Sequence, residues 1–136
     1  MTRIVTHQLP SAKRAGFVVR EILRIYGERR RVVVWVADEA RRRVLDDYLW
    51  TWEKLSFLPH CVWSAGMGQI EDPVVLLGEV GNPNGAEALV VADDLPPEDW
   101  ICEFDEVHDF IPPGDEGVER ERWWAERRDA QKEMTE

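Results

Sequence analysis

Two kinds of apolar pattern alternate along the chain, one typical of β-strands and the other of amphipathic helices. Short apolar runs rich in β-branched residues, such as residues 32–36, suit strands that are covered on both faces, as in a parallel sheet. The sequence predicts strands at residues 4–8, 32–36, 73–77, 88–92 and 107–111.

Between these runs, apolar residues recur every three to four positions, which predicts helices with one buried face. The first helix begins after Ser11, a suitable N-cap, and ends near Gly27. The second spans residues 39–50 and is capped by Asp38. Four of its residues are expected to face the core: Ala40, Val44, Leu45 and Tyr48.

Further along the chain, a short helix is predicted near residues 100–104, and a long helical segment begins at about residue 115. This order predicts a single α/β domain over residues 1–136. We expect a three-layer Rossmann-like sandwich with a mostly parallel central sheet and a C-terminal helix. Residues 132–136 are expected to fray.

An aromatic cluster, residues 49–63, follows the second helix and holds three of the seven tryptophans. Aromatic side chains concentrated in this way either fill a core or anchor a partner interface. Trp52 and Trp63 are predicted to face the core, whereas Trp50 and Phe57 fit either role.

The net charge of −10 is distributed unevenly. Residues 1–58 carry 12 Lys and Arg against 7 Asp and Glu, whereas residues 59–118 carry 14 Asp and Glu and no Lys or Arg. This balance disfavours strong direct nucleic-acid binding, although clustered arginines can still capture a small acidic partner. No secretory pattern or membrane-spanning run is visible, so we expect a cytoplasmic protein.

The sequence offers no convincing active site. It lacks both glycine-rich phosphate-binding motifs, and its histidines, His7, His60 and His108, share no metal-ligand spacing. His108 beside Asp109 fits a polar strand end better than a catalytic base and its orienting carboxylate. We therefore expect no catalytic residue, metal or cofactor. The alternative is a degenerate nucleotide- or metabolite-binding α/β enzyme.

Two ordered segments carry a family resemblance. Residues 45–50 (LDDYLW) are followed by residues 56–60 (SFLPH), and residues 107–112 lead to residues 120–127 (RERWWAER). Together they resemble the chi subunit of bacterial DNA polymerase III holoenzyme. The resemblance implies a non-catalytic accessory subunit that links the clamp-loader assembly to the acidic C-terminal tail of single-stranded-DNA-binding protein.

The resemblance also implies the residues of the tail-binding site. Arg120 would bind the carboxylate of the terminal Pro-Phe, with Trp123 beside it and Arg127 on the same helix face. Ile111, Pro112 and Val118 would wall the phenyl pocket, and Arg122 would be a solvated charge or an ion-pair partner. Trp124 is expected to be the more exposed tryptophan of the pair. Glu116 and Glu126 depart from the family pattern, which predicts a weaker, more salt-sensitive site.

A second interface follows from the LW and SF-x-PH motifs. Trp50 and Phe57 would contact the psi subunit or a substitute replication or repair partner, with Pro59 stiffening the turn. The sequence alone leaves open whether these two aromatic residues belong to the interface or to the core.

Overall fold

The structure is a computed structural model that describes residues 1–52 and 58–135. Its strands are β1 (Arg3–Gln8), β2 (Val32–Trp35), β3 (His60–Trp63), β4 (Val74–Leu77), β5 (Ala88–Val91) and β6 (Glu106–Ile111). Its α-helices are α1 (Ala15–Gly27), α2 (Glu39–Thr51), α3 (Glu98–Ile101) and α4 (Asp115–Thr135), and a 3₁₀ turn covers Ala65–Met67.

The strands form one six-stranded sheet in the order β1-β6-β5-β2-β4-β3, with every neighbouring pair parallel. The predicted α/β architecture is therefore confirmed. Strand β3, at one sheet edge, was not predicted. Its four residues, HCVW, are not a continuous apolar run like those of β2 and β4, and they include one half-buried and one exposed position.

Two apolar clusters lie on opposite faces of the sheet, each between the sheet and a layer of helices, so the domain has three layers. On one face, α1 and α2 pack against strand residues such as Val34 and Leu76. On the other face, α3 and α4 pack against alternate residues such as Val33 and Leu89. Because successive strand side chains point to opposite faces, each apolar run supplies both clusters.

The helix boundaries and faces differ from the prediction in two places. Helix α1 begins at Ala15, several residues after Ser11, with Arg14 at its N-cap. Val44 and Ala40 were expected to be in the core, but Val44 is 68% exposed and Ala40 is also exposed. Helix α2 instead buries Leu45 and Leu49, which lie four residues apart. Helix α4 spans Asp115–Thr135, and the fraying expected for residues 132–136 stays a prediction.

The adjacent residues Val44 and Leu45 provide a test of this helix orientation. Leu45→Ala should lower the free energy of unfolding by about 2–5 kcal/mol, because it leaves a cavity against the sheet. Val44→Ala should change it by less than about 0.5 kcal/mol, because the side chain is already in solvent. Urea denaturation followed by tryptophan fluorescence measures both. Equal losses would contradict the orientation of α2.

Candidate functional site

A fully buried carboxylate, that of Asp109 on β6, anchors helix α4 to the sheet. Oδ2 of Asp109 accepts hydrogen bonds from Nε of Arg120 at 2.6 Å and from Nε1 of Trp124 at 2.6 Å. Oδ1 accepts from Nη2 of Arg120 at 2.9 Å and from the Phe110 amide at 2.8 Å. Nη2 of Arg120 also donates to the carbonyl of Asp93 at 2.5 Å. The helix is thereby held through charge-assisted bonds as well as packing.

The positions of the two adjacent tryptophans are the reverse of the prediction. Trp124 is fully buried, and Trp123 is half-buried. Trp124 lies four residues after Arg120, so both side chains share the helix face that meets Asp109. Trp123 instead lies under the guanidinium of Arg127, whose carbon is 3.9 Å from the ring centroid. This contact is a cation–π interaction.

An open groove lies between the end of β6 and the first turns of α4. It has a volume of about 500 Å³, and its walls include the three predicted pocket residues Ile111, Pro112 and Val118. Val118 is 58% exposed, so a large apolar side chain is presented to solvent there. Arg122 also lines the groove. Arg122 was predicted to be a solvated charge or an ion-pair partner, although its position four residues after Val118 indicates a shared helix face.

Close backbone contact at Gly117 brings α4 onto the end of β6. A Cβ atom at this position would come within 1.8 Å of the carbonyl oxygen of Pro112. Any larger residue would therefore push the first turn of α4 away from the strand. The depth of the groove depends on this glycine.

The other predicted tail-binding residues do not line this groove. Arg120, which is 7% exposed, lines a separate pocket of about 320 Å³ with Arg14, Arg41 and Asp93. Burial, followed by the charge of Arg120, lowers the pKa of Arg14. Arg41 forms an ion pair with Asp93. The pocket thus already holds internal partners for its cations.

Arg127 and Trp123 belong to a third location. Nη2 of Arg127 pairs with Glu98 at 2.9 Å, and Nη1 pairs with Glu126 at 3.2 Å. Arg127 lines a pocket beside Ile4 and Ile101, on the side of α4 that faces α3. The arrangement of the described residues therefore divides the predicted site into an apolar groove, a buried arginine and a stacked arginine–tryptophan pair.

The predicted second interface is partly described. Trp50, near the end of α2, is 54% exposed, and its ring lies 4.2 Å from that of His60. Trp63 is buried and donates from Nε1 to the carbonyl of Gly68 at 2.8 Å, and Trp52 packs against the core. The positions of Trp52 and Trp63 agree with the expectation that both face the core. Pro59 is half-buried, and Phe57 lies outside the described residues.

Two histidines far apart in sequence meet on the α1 face of the sheet. Nε2 of His7 lies 2.9 Å from Nδ1 of His108, although the two residues share no metal-ligand spacing in the sequence. Parallel pairing of β1 with β6, which the sequence did not reveal, brings them together. His108 and Asp109 are adjacent in β6, so their side chains face opposite sides of the sheet and do not pair. Nε2 of His108 instead bonds to Glu106 at 2.8 Å.

The surroundings of this cluster shift the pKa of His7 and of Glu106. Burial lowers the pKa of His7. Burial opposes ionisation of Glu106, but hydrogen bonds from Arg30, His108 and Arg3 lower its pKa to about 2.

Comparison with known proteins identifies the family. A family model described as DNA polymerase III chi subunit, HolC, matches residues 1–134. The chain belongs to the chi subunit family. Its match covers almost the whole sequence and agrees with the resemblance carried by the ordered motifs. No curated protein matches the sequence.

Membership of the chi family makes the protein an accessory subunit of DNA polymerase III. Among the described helices, none combines the length and apolar character needed to cross a membrane. The groove beside α4 and the region around Trp50 present apolar or charged side chains to solvent. They are the candidate partner surfaces of this chi subunit.

The Asp109 network predicts a large effect of one isosteric substitution. Asp109→Asn should destabilise this chi subunit by about 3–5 kcal/mol, because it leaves the buried Arg120 guanidinium without its counter-charge. The exposed Glu119→Gln on the same helix is the matched control and should be nearly neutral. Chemical denaturation measures both. A loss below about 1 kcal/mol in Asp109→Asn would show that the network does not anchor α4.

Proposed function

We propose that this chi subunit binds the acidic C-terminal tail of single-stranded-DNA-binding protein and connects it to the clamp-loader assembly during DNA replication. A cytoplasmic location and a non-catalytic role follow from this proposal. The observation that carries it is the apolar groove beside α4, whose walls include Ile111, Pro112 and the exposed Val118. Its volume of about 500 Å³ suits a terminal Pro-Phe segment.

The groove supplies complementary chemistry for such a tail. A phenyl ring would contact the apolar walls, and an exposed arginine at the rim would receive the terminal carboxylate. Arg122 lines the groove and is exposed, so it can meet a carboxylate without the loss of a buried ion pair. Glu121 also lines the groove, and its negative charge would weaken attraction for an acidic peptide. We therefore expect salt-sensitive, moderate affinity.

Arg120, the carboxylate partner that the family motif implies, stays a proposed contact, but through one nitrogen only. Its Nε and Nη2 atoms are engaged by Asp109 and Asp93, so only Nη1 has no hydrogen bond within the described part of the chain. Trp123 and Arg127 remain proposed contacts for the acidic residues before Pro-Phe. Because Arg127 already pairs with Glu98 and Glu126, its contribution should be small.

A fluorescence-polarisation titration with a labelled acidic peptide ending in Pro-Phe tests the groove. Val118→Glu should weaken binding by at least about tenfold, because it places a charge on the apolar wall. Arg122→Ala should weaken it by about 10–150-fold, the value of a lost charge-assisted hydrogen bond. A peptide that lacks the terminal phenylalanine should not bind.

Controls separate the loss of a contact from the loss of the fold. The exposed Glu133→Ala, near the distal end of α4, should leave peptide affinity unchanged. Arg120→Ala should weaken peptide binding and lower the thermal midpoint together, because it breaks the Asp109 network. Full affinity in both Val118→Glu and Arg122→Ala would rule out the groove as the peptide site.

We place the second interface at Trp50 and Pro59, with Phe57 as a further contact from the family motif. This surface would bind the psi subunit or a substitute replication or repair partner. Support comes from the exposure of Trp50, which presents a large aromatic side chain to solvent near the end of α2. Partner anchors of this kind are commonly tryptophans.

Replacement of Trp50 tests this interface. Trp50→Ala should weaken binding to isolated psi, or to the substitute partner, by about 2 kcal/mol or more, which is about 30-fold. Its peptide affinity and thermal midpoint should stay near the wild-type values, because the ring is half in solvent. Val62→Ala on the neighbouring edge strand is the control. Isothermal titration calorimetry measures both variants, and equal affinities would remove Trp50 from the interface.

The alternative of a nucleotide- or metabolite-binding enzyme receives no specific support from the described residues. In open parallel sheets, ligands bind beyond the carboxyl ends of strands where connections leave on opposite faces. At that position, between β2 and β5, Arg41 pairs with Asp93 and Arg120 pairs with Asp109. These cations are therefore committed to internal carboxylates.

A further inference from the structure

Three potential metal ligands from separate parts of the chain meet under helix α1. They are Nε2 of His7 on β1, Oε1 of Glu21 on α1 and Nδ1 of His108 on β6, and all lie within 4.8 Å of one another. The two nitrogens are 2.9 Å apart, and Nδ1 of His108 is 3.3 Å from the Glu21 oxygen. Three rigid elements therefore fix the cluster.

The surroundings of His108 orient the ligand atom. Nε2 of His108 lies 2.8 Å from Oε1 of Glu106, so that nitrogen carries the proton donated to the carboxylate. Arg3 and Arg30 hold Glu106 in place at 2.8 Å and 3.1 Å. The other ring nitrogen, Nδ1, then faces His7 and Glu21. A histidine whose other nitrogen donates to a carboxylate is the usual arrangement at protein metal sites.

The separations also match the size of a small metal ion. With metal–nitrogen and metal–oxygen bonds of about 2.0–2.2 Å, tetrahedral ligands lie about 3.3–3.6 Å apart. The observed 2.9 Å and 3.3 Å separations would lengthen slightly toward this range. The third pair, the His7 nitrogen and the Glu21 oxygen, lies within 4.8 Å and would adjust to the same range. His7 is half-buried, so solvent can reach the cluster and supply a further ligand.

We propose that His7, Glu21 and His108 form a binding site for a divalent transition metal ion of the zinc class. Two imidazole nitrogens and one carboxylate oxygen are a ligand set that such ions accept. The site lies on the α1 face of the sheet, opposite α4, so it is independent of the proposed peptide groove. The ion would join β1, β6 and α1.

A proton is the competing occupant of the same position. The lone pair of Nδ1 and the Glu21 carboxylate repel each other at 3.3 Å unless something positive lies between them. A second proton on His108 would provide this charge and leave an imidazolium between Glu21 and Glu106. Arg24, which also bonds to Glu21, would then complete an ordinary polar network.

Titration of metal-free full-length protein with Zn²⁺ or Co²⁺ alone distinguishes these occupants. Calorimetry should give one ion per chain, and bound Co²⁺ should show the strong visible absorption of a four-coordinate site. His7→Phe keeps the ring that stacks between His108 and Phe110 but removes the ligand nitrogen. Both His7→Phe and Glu21→Gln should weaken binding at least about tenfold, the lower bound seen for losses around metal sites.

Two matched controls should retain the wild-type metal affinity. Glu28→Gln removes another carboxylate that pairs with Arg24, and Cys102→Ser removes an exposed thiol. Circular dichroism of every variant checks that the fold is intact. The proposal fails if no ion binds, or if His7→Phe and Glu21→Gln both bind as tightly as the wild type. Nitrogen NMR that shows both His108 nitrogens protonated in the presence of Zn²⁺ would likewise assign the position to a proton.

Discussion

The buried carboxylate of Asp109 is the interaction on which the C-terminal half of this chi subunit depends. It receives two nitrogens of Arg120, the indole of Trp124 and a backbone amide, so a helix with few apolar residues is still fixed on the sheet. The burial of such a charge is unfavourable unless its hydrogen bonds are complete. Here the same bonds that satisfy the carboxylate also set the position of α4, and with it the groove.

Successive side chains of β6 point to opposite faces of the sheet, so this one strand contributes to two polar networks. Asp109 faces α4, whereas its neighbour His108 faces α1 and meets Glu106, Glu21 and His7. These contacts explain how the fold accommodates the uneven distribution of charge along the chain. The central segment has no cations of its own, and its buried carboxylates are neutralised from both flanking segments. Arg3, Arg30 and Arg41 serve this role from the N-terminal side, and Arg120 serves it from the C-terminal side.

The sequence was sufficient for the α/β class and the mostly parallel sheet, because both follow from the local pattern of strands and helices, but it did not give the strand order. Continuous apolar runs marked β2, β4 and β5, and the alternation with helices implied parallel connections. Edge strand β3 was missed because one side of it faces solvent, so its pattern is mixed. Val44 was misplaced because apolar character alone does not distinguish a core residue from one at the margin of a helix face.

The site was harder to predict than the fold because it depends on which side chains find each other across the chain. Nothing in the local sequence indicates that Trp124, and not Trp123, reaches Asp109. Likewise, the meeting of His7 with His108 requires the knowledge that β1 pairs with β6. The groove residues Ile111, Pro112 and Val118 were predicted from the family resemblance, and they lie together because they flank one turn.

The close approach at Gly117 has a consequence for how the surface of α4 can vary among related sequences. The first turn of this helix is largely exposed, so most of its positions can change with little cost to stability. Position 117 is different, because its constraint is volume and not polarity. A single added methyl group would act as a wedge between helix and strand, and would strain the Asp109 bonds one turn away. The shape of the groove therefore depends on the absence of a side chain at position 117.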